Sequence, residues 1–443
     1  MLDTVRADHT SLYGYSRDTT PNLKKLSQQA VVFDRAVGSS DWTLPSHASM
    51  FTGLYASEHG AYCVPGSHIL KLPSKATTLA EVLQDNGYLT TAVVANITMM
   101  LRPFNLNQGF AYYAVRKPKE ERRMLLRSRL EEAKTNLMGR GPNPKLYRDA
   151  GEITNEAVKI LDKARDSKRP FFLFLNYMDA HVPYRPPAPY DTTYSRSELM
   201  PMEEFYRMAR EVMALRTELP PETRDNLVAH YDAGIAYADQ QVGELLDYLK
   251  QRRLFDNTLV VITSDHGEAF GEHRGNYVHS KELYWENLHV PMFLMHPARL
   301  GLPPRIAQLG SVVDVMPTVL DVLGLDAPPM DGMSLLNEAP ERVIFHMTPF
   351  GPGVAVRVDS EAVHARAMFD VALVFGLGVL APVVALVFAT AALGDLVEDR
   401  TLVYIWLRPV ARARIVGGAL AASLCVSLPI AVIPMVVAGI VGG

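Results

Sequence analysis

Short apolar runs alternate with amphipathic stretches along most of the chain, and this spacing predicts strands that alternate with helices. The apolar runs of strand length lie at 31–33, 88–95, 170–175 and 258–262. Helical spacing follows Thr20 and recurs at 78–83, 152–164 and 227–252. Such alternation predicts an α/β fold in which helices sandwich a largely parallel sheet.

Two segments near the carboxyl end carry no charge: 371–394, with 24 residues, and 415–443, with 29. Each exceeds the roughly 20 residues that cross a bilayer's hydrocarbon core. A buried core helix is the alternative for either segment, but two such runs at the end of one chain favour membrane spans. We therefore expect an integral membrane protein.

The loop between these segments, 395–414, contains four arginines, and the positive-inside rule places it in the cytoplasm. The residues before 371 would then lie on the opposite side. The amino end has neither a basic region nor an apolar region of the kind that directs export. These signals conflict, so the side of the membrane that holds the large soluble part stays open.

Composition excludes several classes of protein. With 443 residues, 48% hydrophobic and 21% charged, the chain suits one large α/β domain with an appendage, or two to three domains, and not a disordered chain. Two cysteines exclude a disulfide scaffold and a four-cysteine zinc site. A net charge of −4 gives no electrostatic reason to expect nucleic acid as a partner.

Leu2 and Asp3 would be the last two residues of a strand, because ligand sites in α/β sheets lie at the carboxyl ends of strands. The rest of that strand is not in the sequence, so we expect a chain clipped at its start. We predict a catalytic domain over 1–360, with its first strand and carboxyl-terminal subdomain incomplete, and a membrane segment over 361–443.

Candidate chemistry lies where strands should end: at Asp3, around Thr43 and at Asp265–His266. Thr43 precedes Pro45 at the predicted start of a helix, where backbone N–H groups favour an anion such as phosphate or sulfate. Two carboxylates and an imidazole suit one divalent cation. The plainer alternatives are a helix cap at Thr43 and a simple turn at Asp-His-Gly.

Several motifs carry a resemblance to a known family, and they follow that family's order along the chain. They are Leu2–His9, Thr20–Leu23, Trp42–His47, Thr52–Leu54, Asp179–Tyr184, Ser264–Glu268, Val290–Pro291, Asp314–Thr318, Asp331–Gly332 and Ser334–Leu335. Together they resemble the sulfatase family within the alkaline phosphatase superfamily. The resemblance covers about residues 1–340 and implies an alkaline-phosphatase-like fold.

The resemblance also implies roles for single residues. Thr43 matches the family's nucleophile, while His181 and His279 match positions that contact the ester oxygens or assist the leaving group. Four residues match the metal ligands: Asp3, Thr43, Asp265 and His266. The implied cofactor is one divalent ion (Mn, Zn or Ca), and the implied substrate is a small-molecule or lipid-linked anionic ester.

This sequence departs from sulfatases proper at three of the family's positions. Sulfatases proper carry cysteine or serine at the position of Thr43, and that residue becomes formylglycine. They carry arginine at the position of His47 and often a second metal-binding aspartate at the position of Thr4. In these respects the sequence resembles threonine-dependent relatives such as phosphoethanolamine transferases and lipoteichoic acid synthase.

Three functions stay open. The first is a metal-dependent hydrolase of sulfuric or phosphoric esters that forms a covalent intermediate on Thr43. The second is a phosphoethanolamine- or phosphoglycerol-type transferase at the membrane. The third is an inactive composite, because 394–402 and 407–410 resemble the cytoplasmic loop of an ABC-type permease.

Overall fold

The computed structural model describes most of the first 358 residues, namely 1–63, 69–115, 147–165, 167, 169–195, 197–295, 300–339, 342–348 and 354–358. The chain divides into two compact units, Met1–Ala339 with Ile344–Ala355, and Pro340–Val343 with Val356–Gly443. Within the described ranges, no helix combines the length and the apolar character that a membrane crossing requires. The predicted spans, the permease-like loop and the domain boundary at 360 lie outside those ranges and stay predictions.

The α-helices of the described residues are α1 (Pro21–Leu26), α2 (Thr43–Thr52), α3 (Ala56–His59), α4 (Leu79–Asp85), α5 (Ala150–Arg165), α6 (Met202–Met213), α7 (Pro221–Gln251), α8 (Trp285–Leu288) and α9 (Val315–Leu323). Short 3₁₀ turns lie at Ala7–His9, Ser11–Tyr13, Ser27–Gln29, Arg102–Phe104, Tyr190–Thr192, Phe255–Asn257 and Val312–Asp314. The strands are β1 (Val31–Val37), β2 (Leu89–Val94), β3 (Tyr112–Ala114), β4 (Phe171–Asn176), β5 (Val260–Thr263), β6 (Ala269–Phe270), β7 (Tyr277–Val278), β8 (Met292–Met295), β9 (Arg305–Ser311), β10 (Val343–Met347) and β11 (Val354–Val358).

Two larger sheets form the centre of the first unit, with strand orders β3-β2-β4 and β5-β8-β1-β9. The three-stranded sheet is parallel throughout, as predicted. In the four-stranded sheet, β8 runs antiparallel to both β1 and β5. The expectation of a largely parallel sheet is therefore wrong for the four-stranded sheet, and the fold contains both parallel and antiparallel strand pairs. The segment between β5 and β8 holds a hairpin and a four-residue helix rather than a long crossover helix, and antiparallel pairing needs no such crossover.

Met1–Asp3 joins the two sheets. The Tyr177 N–H donates to the Met1 carbonyl at 3.0 Å, and the Asp3 N–H donates to the Tyr177 carbonyl at 2.8 Å. On the other side, the Leu2 N–H donates to the Thr263 carbonyl at 2.9 Å. These three residues therefore pair with the ends of both β4 and β5. Asp3 stands at the carboxyl end of this short extended segment.

The predicted helix starts at Pro21 and after Thr78 are confirmed, whereas the helix predicted to begin at 227 begins at Pro221. One helix is capped by an unexpected group. Helix α4 follows a capping box in which Thr78 and Glu81 bond each other's backbone. Helix α1 begins at Pro21, but the Thr20 hydroxyl turns back to Ser11. The carboxylate of Asp239, on α7, accepts the first free N–H groups of α1 instead. A residue more than two hundred positions away thus supplies the cap.

Helices cover both faces of the sheets and give two apolar cores. Alternate residues of a strand point to opposite faces, so Val93 of β2 packs in one core while Val94 packs in the other. Helices α5 and α7 contribute Leu161 and Leu246 to the first core. Helices α2, α4 and α9 contribute Phe51, Leu83 and Leu320 to the second, among others.

Candidate active site

The carboxyl ends of the strands bring together the residues that the sequence singled out. Asp3 ends the Met1–Asp3 segment, Asp265 follows β5 after one residue, and Thr43 is the first residue of α2. All three side chains are buried. Because strand ends on one edge of a sheet converge, residues far apart in sequence form one cluster.

The Asp3 carboxylate has one oxygen in hydrogen bonds and one without a partner. Its Oδ2 accepts from the side-chain amides of Asn96, at 3.1 Å, and Asn176, at 3.0 Å. The amide of Asn96 can only point this way, because its own Oδ1 already accepts from the backbone of Thr98 and Met99. Oδ1 of Asp3 is buried without a hydrogen-bond partner.

Asp265 repeats this arrangement. Its Oδ1 accepts from the backbone N–H groups of Thr4, at 3.1 Å, and His266, at 3.0 Å, whereas Oδ2 is buried without a hydrogen-bond partner. Burial raises the pKa of Asp265 to about 6. Thr4 adopts a left-handed conformation with a φ of 61°, which is strained for a β-branched residue. That strain directly follows Asp3, as is common at functional sites.

His266 completes a three-ligand set. Its Nδ1 bonds the Gly267 carbonyl at 2.9 Å, which leaves Nε2 as the atom with a lone pair, and Nε2 is buried without a hydrogen-bond partner. Burial lowers the pKa of His266 to about 3, so the imidazole is neutral near pH 7. Ligand atoms of Asp3, Asp265 and His266 all lie within 4.8 Å of one another.

These three residues fit a divalent cation. Unpaired buried carboxylate oxygens are costly, and a cation between them offsets that cost. Their other polar atoms are held by amide and backbone groups, which orients the ligands as partners behind a metal site usually do. One neutral imidazole with two carboxylates suits Mn²⁺ or Zn²⁺ better than Ca²⁺, which prefers oxygen ligands. Asp3, Asp265 and His266 could therefore hold a cation together, and their role as its ligands stays a prediction.

Thr43 lies at the start of the helix that the sequence predicted. Helix α2 runs from Thr43 to Thr52 and ends at Gly53, whose φ is 68°. The Ser46 hydroxyl donates to the Asp265 carbonyl at 2.7 Å and ties the first turn of α2 to the carboxylate cluster. The Asn96 amide lies 3.4 Å from the Thr43 hydroxyl oxygen. Thr43 thus shares a donor with Asp3, while its predicted role as a metal ligand stays a prediction.

His181 and His279 stand beside the cluster. The ring centroids of His266 and His279 are 4.7 Å apart, and those of His279 and His181 are 4.8 Å apart. Nδ1 of His279 bonds the buried Glu268 carboxyl at 2.9 Å, and Nδ1 of His181 bonds the Val182 carbonyl at 2.8 Å. Burial lowers the pKa of His279 to about 4 and raises that of Glu268 to about 8. In each histidine Nδ1 makes the bond to the protein, and the predicted contact of either ring with an ester stays a prediction.

Sequence reasoning gave no role in the site to four residues: His47, Asn96, Asn176 and Glu268. His47 bonds the Thr43 carbonyl at 2.9 Å and lies 3.5 Å from Oδ2 of Asp265. Its spacing of four from Thr43 places both on one face of α2, and that signal was readable. Asn176 ends β4 and Asn96 follows β2, so a search for polar residues at strand ends would have found both.

A hydroxyl at a helix N-terminus lies beside two carboxylates and an imidazole at the carboxyl ends of strands, and this arrangement suits the class of metal-dependent ester hydrolases. Within that class, the chain belongs to the sulfatase family, since the family model described as Sulfatase matches residues 1–325.

Individual relatives agree with this assignment. Iduronate 2-sulfatase of Mus musculus is 24% identical over 370 residues, which cover 72% of this chain and 66% of the relative, slightly less than two thirds of its length. The structure of phosphonate monoester hydrolase from Silicibacter pomeroyi has a TM-score of 0.59 at 23% identity and covers 81% of this chain and 84% of its own. Lipoteichoic acid synthase LtaP from Listeria monocytogenes has a TM-score of 0.56 at 18% identity, covering 81% and 80%. The shared fold confirms the alkaline-phosphatase-like architecture.

Proposed function

We propose that the chain is a metal-dependent hydrolase of anionic esters that uses Thr43 as its nucleophile and prefers phosphate diesters to sulfate esters. One observation carries the proposal: the unpartnered ligand atoms of Asp3, Asp265 and His266 converge beside a buried hydroxyl at a helix N-terminus. A divalent cation held by these residues would lower the pKa of the Thr43 hydroxyl and offset negative charge on the transferred group.

The chain's own residues account for the bonds and protons of both steps. In the first step, a bond forms between Thr43 Oγ1 and phosphorus while the bond to the leaving oxygen breaks. Thr43 Oγ1 releases its proton to solvent, and the leaving oxygen gains one from Nε2 of His279 or His181, which is left as the base for the second step. In the second step, water attacks phosphorus, Thr43 Oγ1 leaves and takes a proton from solvent, and the histidine that gave up its proton accepts one from the attacking water. The first N–H groups of α2 would bind the ester oxygens, while the Asn96 amide holds Asp3 and Thr43 in place.

The preference for phosphate rests on what threonine lacks. Sulfate-ester cleavage by the family's usual route uses a hydrated aldehyde, whose second hydroxyl expels the sulfated oxygen. Threonine has a single hydroxyl, so its ester must be released by direct attack of water or of an alcohol. The mouse relative is named for a sulfate ester and the Silicibacter neighbour for a phosphonate monoester, so both chemistries occur among the proteins that this chain resembles.

Aryl esters that share one leaving group test the proposed function. With Mn²⁺ or Zn²⁺ present, we expect kcat/KM for bis(p-nitrophenyl) phosphate to be at least about a hundredfold above that for p-nitrophenyl sulfate. This ratio corresponds to a difference of about 2.7 kcal/mol in barrier height. The released chromophore is the same, so detection introduces no bias. Sulfate-ester cleavage without phosphodiester cleavage would overturn the proposal.

The same assay separates hydrolysis from transfer. Glycerol competes with water in the second step, and a glycerol phosphodiester product would assign the transferase alternative. Failure of every ester with every metal, in protein that binds the cation, would instead favour the inactive composite. Under both the hydrolase and the transferase alternative, the substrate is an anionic ester, either free or lipid-linked.

We propose a membrane location from the uncharged segments at 371–394 and 415–443. Each is long enough to cross a bilayer, and neither contains Asp, Glu, Lys, Arg or His. The full chain is expected in the membrane fraction after an alkaline carbonate wash, which removes peripheral proteins. A variant that ends at residue 360 should leave that fraction. Release of the full chain by carbonate would contradict integral insertion.

A further inference from the structure

Thr4 lies between two peptide groups that are both held by side chains. Its N–H donates to Oδ1 of Asp265 at 3.1 Å, and its carbonyl accepts from the hydroxyl of Tyr231 at 2.8 Å. The Val5 N–H, in the same peptide group as that carbonyl, donates to the Ser264 hydroxyl at 2.9 Å. Because each peptide group is planar, its orientation sets φ and ψ of the residue between them. These bonds therefore hold Thr4 in its left-handed conformation.

Tyr231 differs from the other two partners in its origin. They adjoin β5, whereas Tyr231 lies on α7. Its hydroxyl also accepts from the Arg6 N–H at 2.9 Å, so it bridges two backbone groups of the segment that follows Asp3. Burial raises the pKa of Tyr231 well above its usual value, so the hydroxyl keeps its proton and donates it to the Thr4 carbonyl.

Packing sets the position of the Tyr231 hydroxyl. The ring is buried and meets the rings of Phe270 and Tyr184 edge to face, with centroids 5.1 Å and 5.8 Å away. One turn further along α7, a Cβ on Gly234 would overlap the Asp179 carbonyl oxygen, so the helix lies against that backbone as closely as glycine permits. Helix and ring thus place the hydroxyl at a fixed point beside Thr4.

We propose that Tyr231 is a positioning residue for the cation site, an inference that rests on the proposed function. Its hydroxyl keeps Thr4 left-handed, which directs the Asp3 carboxylate into the cluster and keeps the Thr4 N–H on Asp265. Oδ1 of Asp3 and Oδ2 of Asp265 are then both left for the cation. A hydroxyl that bonds neither carboxylate thus orients two ligands through one backbone segment, as partners behind a metal site do.

The conformation of Thr4 explains why such a partner is needed. A β-branched residue rarely adopts a positive φ, and it stays there only while the surrounding structure holds it. Without the hydroxyl, the backbone at Thr4 relaxes towards negative φ. The peptide group between Asp3 and Thr4 then rotates, which moves the Thr4 N–H away from Asp265 and turns the Asp3 carboxylate out of the cluster.

Tyr231→Phe removes the hydroxyl and keeps the ring. We expect the Kd of the full chain for Mn²⁺, measured by electron paramagnetic resonance of the free ion, to rise at least about tenfold. Turnover of bis(p-nitrophenyl) phosphate should fall at low Mn²⁺ and return to within about threefold of wild type at saturating Mn²⁺, because excess cation offsets a weaker site. A purely structural defect would leave the dependence on Mn²⁺ unchanged.

Tyr13→Phe is the matched control. The Tyr13 hydroxyl makes the same pair of backbone bonds, since it donates to the Phe33 carbonyl at 2.8 Å and accepts from the Met292 N–H at 3.0 Å. These bonds join β1 to β8 and involve no residue of the cluster. The control should lose a similar amount of thermal stability and keep its Kd for Mn²⁺ within about twofold of wild type, because the sites are independent.

Thr4→Gly tests the route through Thr4. Glycine adopts a positive φ without strain, so in this background the hydroxyl is no longer needed to hold the conformation. Adding Tyr231→Phe to Thr4→Gly should therefore raise the Kd for Mn²⁺ by less than about threefold.

The outcomes separate this inference from the proposed function. Mn²⁺ binding that is equal in wild type and Tyr231→Phe would refute the positioning role and leave the proposed function standing. The same holds if Tyr13→Phe weakens binding as much, or if the loss persists in full in the Thr4→Gly background. A wild type that binds no Mn²⁺ would refute the proposed cation site, and the positioning role with it.

Discussion

Replacing Thr43 with alanine is expected to lower kcat/KM for a phosphate diester by about four powers of ten while the cation still binds. The proposed covalent step needs the hydroxyl, and the loss of one member of a catalytic unit removes most of what the unit contributes. A serine at this position keeps a hydroxyl and should retain activity within about a hundredfold. Steady-state kinetics on both variants measures this, and mass spectrometry after acid quenching should find the phosphoryl group on Thr43 of the wild type.

Thr52→Ala is the matched control. Thr52 is buried at the other end of the same helix, and its hydroxyl donates to the Ala48 carbonyl. The same chemical change there should cost about 1 kcal/mol of stability and leave kcat/KM within a few-fold of wild type. Thr43→Ala activity equal to that of Thr52→Ala would remove Thr43 from the mechanism.

Replacing Asp265 with asparagine is expected to weaken binding of Mn²⁺ or Zn²⁺ at least about a hundredfold and to abolish turnover. The change removes the charge of one of two carboxylates that face the cluster, while the amide keeps its size. Binding can be read without any substrate, because a cation at a hundred times its Kd raises the free energy of unfolding by about 2.7 kcal/mol. Added EDTA should therefore lower the melting temperature of the wild type but not that of the Asp265→Asn variant.

Asp239→Asn provides the control for this variant. Asp239 is also a buried aspartate, and it caps α1 far from the cluster. Its replacement should lower stability by about 1 kcal/mol, because a cap is weakened, and should leave the response to EDTA unchanged. A response to EDTA that persists in Asp265→Asn would show that the cation binds elsewhere.

The fold was predictable wherever local signals decide the structure. The strand at Val31, the helix at Pro21 and the helix at Thr43 depend on local signals: an apolar run, proline at the first helical position, or glycine at a helix end. Each signal lies within a few residues of the element that it predicts. The direction of β8 was not predictable in this way. Its partners β1 and β5 come from distant parts of the chain, so the mixed sheet appears only when all three pack together.

The candidate site divides in the same manner. Asp3, Thr43, Asp265, His266, His181 and His279 were named from motifs in the sequence, and the structure brings them into one cluster. Asn96, Asn176 and Glu268 were not, because amides and a lone glutamate carry little signal without knowledge of what they face. Asn96 becomes part of the site only because the end of β2 lies beside Asp3 and Thr43.

The sequence by itself determined the types of residue, the helices that begin at Pro21 and Thr43, and the family to which the chain belongs. Only the tertiary structure decided which oxygen of each carboxylate is held by neighbours and which is left for a cation. It alone shows that Asp239 caps a distant helix and that Met1–Asp3 bonds to the ends of both β4 and β5. The physical reason is range: turns and helix ends are set by a few adjacent residues, whereas a binding site depends on distances between strand ends that only packing fixes.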